Sequence, residues 1–244
     1  MKKTIFLIAI SICNLAEAQQ FVNNGLVEYE VRVDNHKVLG DDIWAQSIKD
    51  RVPNFSVSWY DLAFNNNKGV YKFNRLDEKT KAPSFLGNSQ QDNIWFSDYS
   101  SGTFTDEKNI FGDTYLLQDT LMNIKWKLVP NETREIAGFN CRKAQAIIFD
   151  SVYVFAFYTD EITVPGGPMG IHGLPGMILG ITIPRMYTSW IADKVEVNGV
   201  NTAAAVVAPV EGKKKKASEL LQTVKKATSD WGSYAQQIIW QLFL

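Results

Sequence analysis

The chain has 244 residues, and 45% of them are hydrophobic, which is enough for one well-packed core. Its formal net charge is −1, and six of its 25 basic residues lie between 211 and 230, so the rest of the chain is acidic. An acidic body argues against nucleic acid as a partner.

The first eighteen residues have the three parts of a secretory signal peptide. Lys2 and Lys3 form a charged start, residues 5–12 an apolar run, and residues 16–18 a small-x-small cleavage site. The apolar run is too short to span a bilayer. We therefore predict cleavage after Ala18 and localisation to the periplasm or secretion.

Removal of the signal peptide leaves one cysteine, Cys141. The mature chain can therefore form no intramolecular disulfide. The apolar neighbours of Cys141 favour a small buried side chain on a strand, and a reactive or metal-binding thiol is the alternative. Cys13 could mark a lipoprotein anchor, although Ile12 before it fits such a site poorly.

Short segments with apolar periodicity predict a mostly β fold. Residues 26–33 alternate between apolar and polar side chains, as in a strand with one wet face. A short helix is predicted over 41–51, a β-hairpin over 55–76 and a loop over 77–93. Further short strands are predicted at 94–99, 103–107, 114–118, 122–129, 134–139, 141–149, 152–159, 177–183 and 188–197.

The order of these elements indicates the fold class. Strands do not alternate with helices, as a parallel α/β fold would require. We therefore predict that residues 19–200 form a single curved antiparallel sheet with a few flanking helices. A half-barrel, with its concave face covered by a short helix or a loop, is one arrangement of such a sheet.

The composition changes after residue 200. Residues 201–216 are predicted to be a linker that ends in four lysines. Residues 217–244 are predicted to be an amphipathic helix, because apolar side chains recur at spacings of three and four. Its apolar stripe can pack on the chain's own core or contact a partner or a membrane surface. We expect intramolecular packing, because so much exposed Trp, Ile and Phe would favour aggregation.

The most unusual segment is GGPMGIHGLPGMILG, residues 166–180. Six glycines and two prolines are interspersed there with apolar residues and one histidine. A flexible linker would carry serine and charge instead, so the segment is predicted to be a rigid, partly buried loop that shapes a surface. Pro175 and Gly176 favour the middle of a type II turn.

Four segments resemble the GLPGLI family. Residues 173–178 read GLPGMI, with methionine in place of the usual second leucine. Residues 136–144, IAGFNCRKA, are similar to the family segment I-x-G-F/Y-x-C-x-K-A. A tryptophan-bearing strand at 124–128 and the approach to the loop at 158–168 also match.

The resemblance covers residues 22–200 and concerns location more than chemistry. It implies a secreted or periplasmic protein of Bacteroidota-type bacteria, often encoded beside TonB-dependent receptors. The family has no agreed biochemical activity, so the resemblance carries over no catalytic residue. A TonB-dependent receptor of the outer membrane is the partner that it implies.

No motif in the chain predicts a reaction. The sequence lacks a G-x-S-x-G elbow, a P-loop lysine and a G-x-G-x-x-G segment, and two histidines are too few for a zinc cluster. The leading hypothesis is a non-enzymatic envelope protein, without a cofactor, that binds a hydrophobic ligand, a peptide or a partner protein. The alternative is an accessory factor that binds a small molecule or copper through His172 and nearby sulfur, and a hydrolase comes third.

The candidate binding residues belong to residues 166–180, here called the glycine-proline loop. They are Met169, Ile171, His172, Leu174, Pro175, Gly176 and Met177. No catalytic residue and no metal-ligand set is assigned from the sequence.

Overall fold

The computed structural model describes residues 22–83, 86, 91–149, 151–197, 199–231, 235–236, 239–240 and 242. The predicted signal peptide therefore lies outside the described residues. Within the described part, none of the helices combines the length and the apolar character needed to cross a membrane.

The described residues form one open sheet with a few helices. Its twelve strands are β1 (Asn24–Asp34), β2 (Phe55–Asn65), β3 (Lys68–Leu76), β4 (Ile94–Asp98), β5 (Thr103–Ile110), β6 (Asp113–Thr120), β7 (Lys127–Ile136), β8 (Phe139–Ile148), β9 (Val152–Thr159), β10 (Met177–Ile183), β11 (Thr188–Glu196) and β12 (Lys213–Lys215). The α-helices are α1 (Asn35–Leu39), α2 (Ile43–Ile48) and α3 (Ala217–Ala227), and single 3-10 turns occupy Lys49–Arg51, Pro168–Gly170 and Pro184–Met186.

The strand order is β12-β6-β5-β4-β3-β2-β1-β11-β10-β9-β8-β7. Neighbouring strands are antiparallel except β12, which runs parallel to β6. The sheet curves strongly, as the contact between β7 and β11 shows, although these strands are four places apart in the strand order. The predicted mostly β fold with a curved sheet is thus confirmed, with one short parallel edge strand in addition.

One face of the sheet, here called the inner face, holds the main core. The alternation predicted for residues 26–33 is present in β1, where Val27, Tyr29 and Val31 are buried on this face. The Tyr29 hydroxyl donates a hydrogen bond to the Ile178 carbonyl oxygen at 2.6 Å. This bond links β1 to β10 across the inside of the curve.

Local sequence rules explain α2, the second helix after β1. The Asp42 carboxylate accepts a hydrogen bond from the backbone N–H of Ala45 at 2.7 Å and caps α2. The helical stretch ends before Pro53, as the sequence predicts. The additional helix α1 was not predicted.

The predicted strands 122–129 and 134–139 are wrong in their boundaries. The structure has one strand, β7, and no regular structure at residues 121–126. Asn131 has a φ of +61°, and the pairing with β8 shifts register between Leu128 and Thr133. A bulge of this kind interrupts the apolar alternation without ending the strand.

The predicted boundaries at the C-terminus also need correction. The segment 201–216 is not only a linker, because it contains β12. The predicted helix 217–244 is interrupted, since α3 ends at Ala227 and residues 228–231 are not helical, whereas residues 235–236 are. Residues 228–230, Thr-Ser-Asp, have low helix propensity, which explains the break.

The apolar stripe of this segment packs on the sheet, as expected. Leu220 and Val224 of α3, together with Leu242, form a buried cluster with Ile110 and Leu117 of β5 and β6. Intramolecular packing of the C-terminal segment is therefore a feature of the structure.

Candidate functional site

The glycine-proline loop between β9 and β10 fills part of the inner face. Its 3-10 turn, Pro168–Gly170, contacts β3 and β4 on the opposite side of the curve. Backbone hydrogen bonds tie the loop together: Met177 N–H donates to the Ile162 carbonyl at 3.0 Å, and Ile178 N–H to the Gly166 carbonyl at 2.8 Å. The loop is therefore hydrogen-bonded and packed into the core, unlike a linker.

The turn at Pro175 is tighter than the predicted type II turn. Gly176 N–H donates to the Leu174 carbonyl oxygen at 2.8 Å, which closes a three-residue turn. In a hydrogen-bonded type II turn Met177 N–H would donate to the Leu174 carbonyl, whereas here it donates to the Ile162 carbonyl. The φ of Gly176 is +137°, a region that favours glycine, as the sequence interpretation requires.

The substitution Gly176→Ala is expected to destabilise the protein strongly. A Cβ atom at this position would lie 2.8 Å from the carbonyl carbon of Thr159, so backbone would have to move. Positive-φ strain and overpacking together predict a loss of about 2–5 kcal/mol in the free energy of unfolding. Urea unfolding at neutral pH measures this loss.

Gly173 in the same loop supplies the matched control. Its φ is +94°, but a Cβ there would meet only Trp126, at an ordinary 3.7 Å. Gly173→Ala should therefore cost only the backbone strain, about 1–2 kcal/mol. Equal losses for the two variants would contradict the close approach of Gly176 to β9.

The structure distributes the predicted binding residues between the core and the surface. The buried residues are Met169, Ile171, Leu174, Gly176 and Met177. Pro175 is exposed, and His172 is half-buried.

His172 is held within the loop. Its Nδ1 lies 2.9 Å from the Gly170 carbonyl oxygen, and its own carbonyl accepts a hydrogen bond from Trp126 Nε1 at 2.8 Å. Burial lowers the pKa of His172, an effect partly opposed by the Gly170 carbonyl. His172 therefore stabilises the loop through both its ring and its backbone.

Cys141 is fully buried on β8, in agreement with the interpretation as a small core side chain. Burial raises the pKa of its thiol to about 12, so the thiolate that binds metals is strongly disfavoured. Within the described ranges, no group of three or more His, Cys, Asp and Glu side chains is placed to hold a metal ion.

Two functional candidates that sequence reasoning missed lie on the inner face of β5. Alternation along β5 directs Phe104, Asp106, Lys108 and Ile110 to that face. Asp106 is 9% exposed and Lys108 only 2% exposed. The sequence pattern that could reveal these two residues is that Asp106 and Lys108 alternate in step with Phe104 and Ile110. The predicted strand 103–107 ends before Lys108, so it does not place the two charges on one face.

Asp106 and Lys108 form a buried ion pair. Lys108 Nζ lies 3.7 Å from Asp106 Oδ2 and 3.8 Å from the centre of the Trp95 ring. Asp106 Oδ1 accepts a hydrogen bond from the backbone N–H of Phe96 at 3.2 Å. These contacts favour one arrangement of the two charges.

Burial shifts the pKa values of both groups towards neutrality. Removal from water raises the pKa of Asp106 to about 6, and the Lys108 charge opposes this shift. Removal from water lowers the pKa of Lys108 to about 8, and Asp106 opposes that shift. These shifts oppose ionisation of both groups, whereas the 3.7 Å separation of Lys108 Nζ and Asp106 Oδ2 favours the ion pair.

A cavity of about 530 Å³ lies above this pair, between the inner face of β5 and β6 and the C-terminal segment. We call it the C-terminal cavity. Its lining includes Phe104, Asp106, Lys108, Leu117, Asp119, Thr120, Met122, Phe149, Ala217, Ser218, Leu221, Lys225, Gln236, Ile239, Trp240 and Leu242.

A smaller cavity of about 80 Å³ lies between this region and the glycine-proline loop. It shares Phe104, Asp106 and Met122 with the C-terminal cavity. Met169 and Ile171 of the loop line its other side. Two of the residues predicted as binding residues thus lie beside the candidate site.

The ion pair is hard to explain as a source of stability. Burial of two charges costs about as much as their attraction returns, and apolar side chains of similar volume often serve as well or better. Charged groups with shifted pKa values at the base of a cavity are typical of functional sites. The pair and the cavity together form a candidate ligand site inside this mostly β protein.

The comparisons with known proteins bear on the fold. Neither a protein-family model nor a curated protein sequence matches the chain. A crystal structure of PNGF-II in space group C2 is similar at 14% identity and a TM-score of 0.50, over 84% of this chain and 33% of PNGF-II. The P21 form gives a TM-score of 0.49 at 14% identity, over 84% and 34% of the two chains.

An uncharacterized conserved protein from Thermus thermophilus is similar over 86% of this chain and 99% of its own length. The identity is 5% and the TM-score 0.41. The present chain spans about a third of PNGF-II. At these identities the likeness to the C2 form of PNGF-II concerns the fold alone.

Proposed function

We propose that the protein binds a hydrophobic small molecule in the C-terminal cavity and catalyses no reaction. The observation that carries this proposal is the combination of apolar walls with a buried charged pair at the base. The volume of about 530 Å³ is within the range of small-molecule sites in proteins.

The walls supply affinity and the base supplies orientation. Phe104, Leu221 and Ile239 are partly buried side chains that present apolar surface to the cavity. Each square ångström of apolar surface that a ligand removes from water there contributes about 25 cal/mol. A few well-placed polar groups then fix how the ligand lies.

Proton-transfer or nucleophilic chemistry finds less support than binding. Lys108 already contacts the Asp106 carboxylate and the Trp95 ring, and the buried thiol of Cys141 has a raised pKa. The copper alternative also has weaker support, since three of its four sulfur donors, Cys141, Met169 and Met177, are buried core side chains and only Met186 is partly exposed.

The proposal includes a place in the cell envelope. The signal-like N-terminus favours export, and a TonB-dependent receptor or a membrane surface would be where the ligand is exchanged. Contact with a membrane is supported by Phe111 and Trp231, which are 60% and 47% exposed with ring centres 6.0 Å apart. Lys225 and Lys226 lie in the last turn of α3, a few residues before Trp231 in the chain. Aromatic and basic side chains together favour binding to a lipid surface.

A blocking substitution tests the cavity. Ser218 is exposed on α3 and lines the cavity. Ser218→Trp is expected to weaken binding of the neutral apolar probe N-phenyl-1-naphthylamine by at least about tenfold, or 1.4 kcal/mol. Probe fluorescence titrated against the protein gives the dissociation constant.

Gln222 supplies the control on the same helix. It is exposed and lies outside the cavity lining, so Gln222→Trp should leave the dissociation constant unchanged. Circular dichroism verifies that both variants fold. Equal affinities for wild type and both variants would exclude the cavity as the binding site.

A further inference from the structure

The polar groups of the C-terminal cavity lie at two depths. Asp106 and Lys108 are at the buried base, at 9% and 2% exposure. Asp119, Ser218 and Lys225 are exposed and lie at the rim. Most of the remaining lining is apolar.

This arrangement sets the orientation of an amphipathic ligand. An apolar tail pressed against the base would remove the remaining water contact of Asp106, which is 9% exposed, without replacing its hydrogen bonds, which is unfavourable. A polar head at the base replaces those hydrogen bonds, and its tail then contacts the apolar walls. The head-first orientation is therefore favoured.

The charge balance at the base selects the kind of head. As an ion pair, Asp106 and Lys108 have no net charge together, so an anionic head would approach Asp106 and a cationic head would approach Lys108 against like charge. A hydroxyl or amide can donate to the carboxylate of Asp106 and accept from the ammonium of Lys108. The rim carries one acid, Asp119, and one base, Lys225, and so offers no net charge in compensation.

We propose that the ligand is an amphiphile with an uncharged hydroxyl or amide head, and that Asp106 and Lys108 hold this head at the base of the C-terminal cavity. The inference rests on the proposed function of the cavity. It adds the chemical class of the ligand and its direction.

Competition experiments with ligands that share one tail test the assignment. At pH 7, 1-decanol, decanamide, decyl methyl ether, decanoate and decylammonium are each titrated as competitors of N-phenyl-1-naphthylamine bound to residues 19–244. The alcohol and the amide are expected to compete at least about tenfold better than the ether, which cannot donate, and better than both ions.

The double variant Asp106→Leu/Lys108→Met separates recognition from simple hydrophobicity. Apolar pairs often replace buried ion pairs without loss of stability, so this variant should fold. Its ratio of alcohol to ether affinity should be at least about tenfold lower than that of wild type, and dividing the two ratios cancels the difference in hydrophobicity between the ligands.

The outcomes distinguish the two proposals. If wild type binds neither the probe nor any of the five ligands, the proposed function fails. If the ligands bind but the ions compete best, or the double variant keeps the preference of wild type for the alcohol, binding stands and the head assignment is overturned.

Discussion

The substitution Lys108→Met is expected to lower the free energy of unfolding by about 3–5 kcal/mol. It removes the cation 3.7 Å from Asp106, whose side chain stays in a site that is 9% exposed. An uncompensated buried charge is unfavourable, and partial protonation of Asp106 would relieve it only in part. Urea unfolding at pH 7 measures the change.

The double variant Asp106→Leu/Lys108→Met is the control for the ion pair. It removes both charges, so its stability should be close to that of wild type or higher. A single variant that unfolds at the same urea concentration as the double variant would contradict a buried, ionised pair.

The pH dependence of stability gives the pair a second signature. The folded-state pKa of Asp106 is raised from 3.8 to about 6, so between these two pH values the folded state binds more protons than the unfolded state. The contribution of Asp106 to the free energy of unfolding therefore falls as the pH rises from about 4 to 6. The pKa of Lys108 is lowered from 10.5 to about 8, so the unfolded state binds more protons and the contribution rises from about pH 8 to 10. The double variant should lack both of these contributions, because it has neither Asp106 nor Lys108.

Deletion of residues 213–244 is expected to have the largest effect on stability. The deleted segment carries the buried side chains of Leu220, Val224, Trp240 and Leu242. Burial of such side chains contributes about 1.5–3 kcal/mol each as an upper estimate, so the melting temperature should fall markedly. Calorimetry of the truncated protein measures the fall, and probe binding should be lost because α3 lines the C-terminal cavity.

Single substitutions on α3 control for the removal of so many residues. Leu220 is 1% exposed, and Leu220→Ala should cost about 2–5 kcal/mol. Gln222→Ala, on the exposed face, should stay within about 0.5 kcal/mol of wild type. A truncated protein that melts at the wild-type temperature would show that the C-terminal segment does not stabilise the sheet.

Local sequence rules determine much of the secondary structure. Period-two alternation predicts β1, because a strand with one buried face must alternate. Apolar spacing of three and four predicts α3 and its buried residues. The positive φ of Gly176 also follows from the sequence, since glycine beside proline in an apolar run indicates a turn that excludes a Cβ atom.

The residue pattern therefore predicts the mostly β class, the positive φ of Gly176 and the apolar stripe of α3, but neither the hydrogen bonds of the turn nor the end of α3 at Ala227. Strand pairing does not follow from local pattern: β1 pairs with β2 and β11, and the Tyr29 hydroxyl bonds to Ile178, 149 residues away. The tertiary structure also placed Asp106 and Lys108 beneath the C-terminal segment, although alternation alone does not tell which face of β5 is buried. The physical reason is that burial, strand pairing and cavities depend on contacts between distant residues, whereas alternation and turn geometry depend on neighbours in the chain.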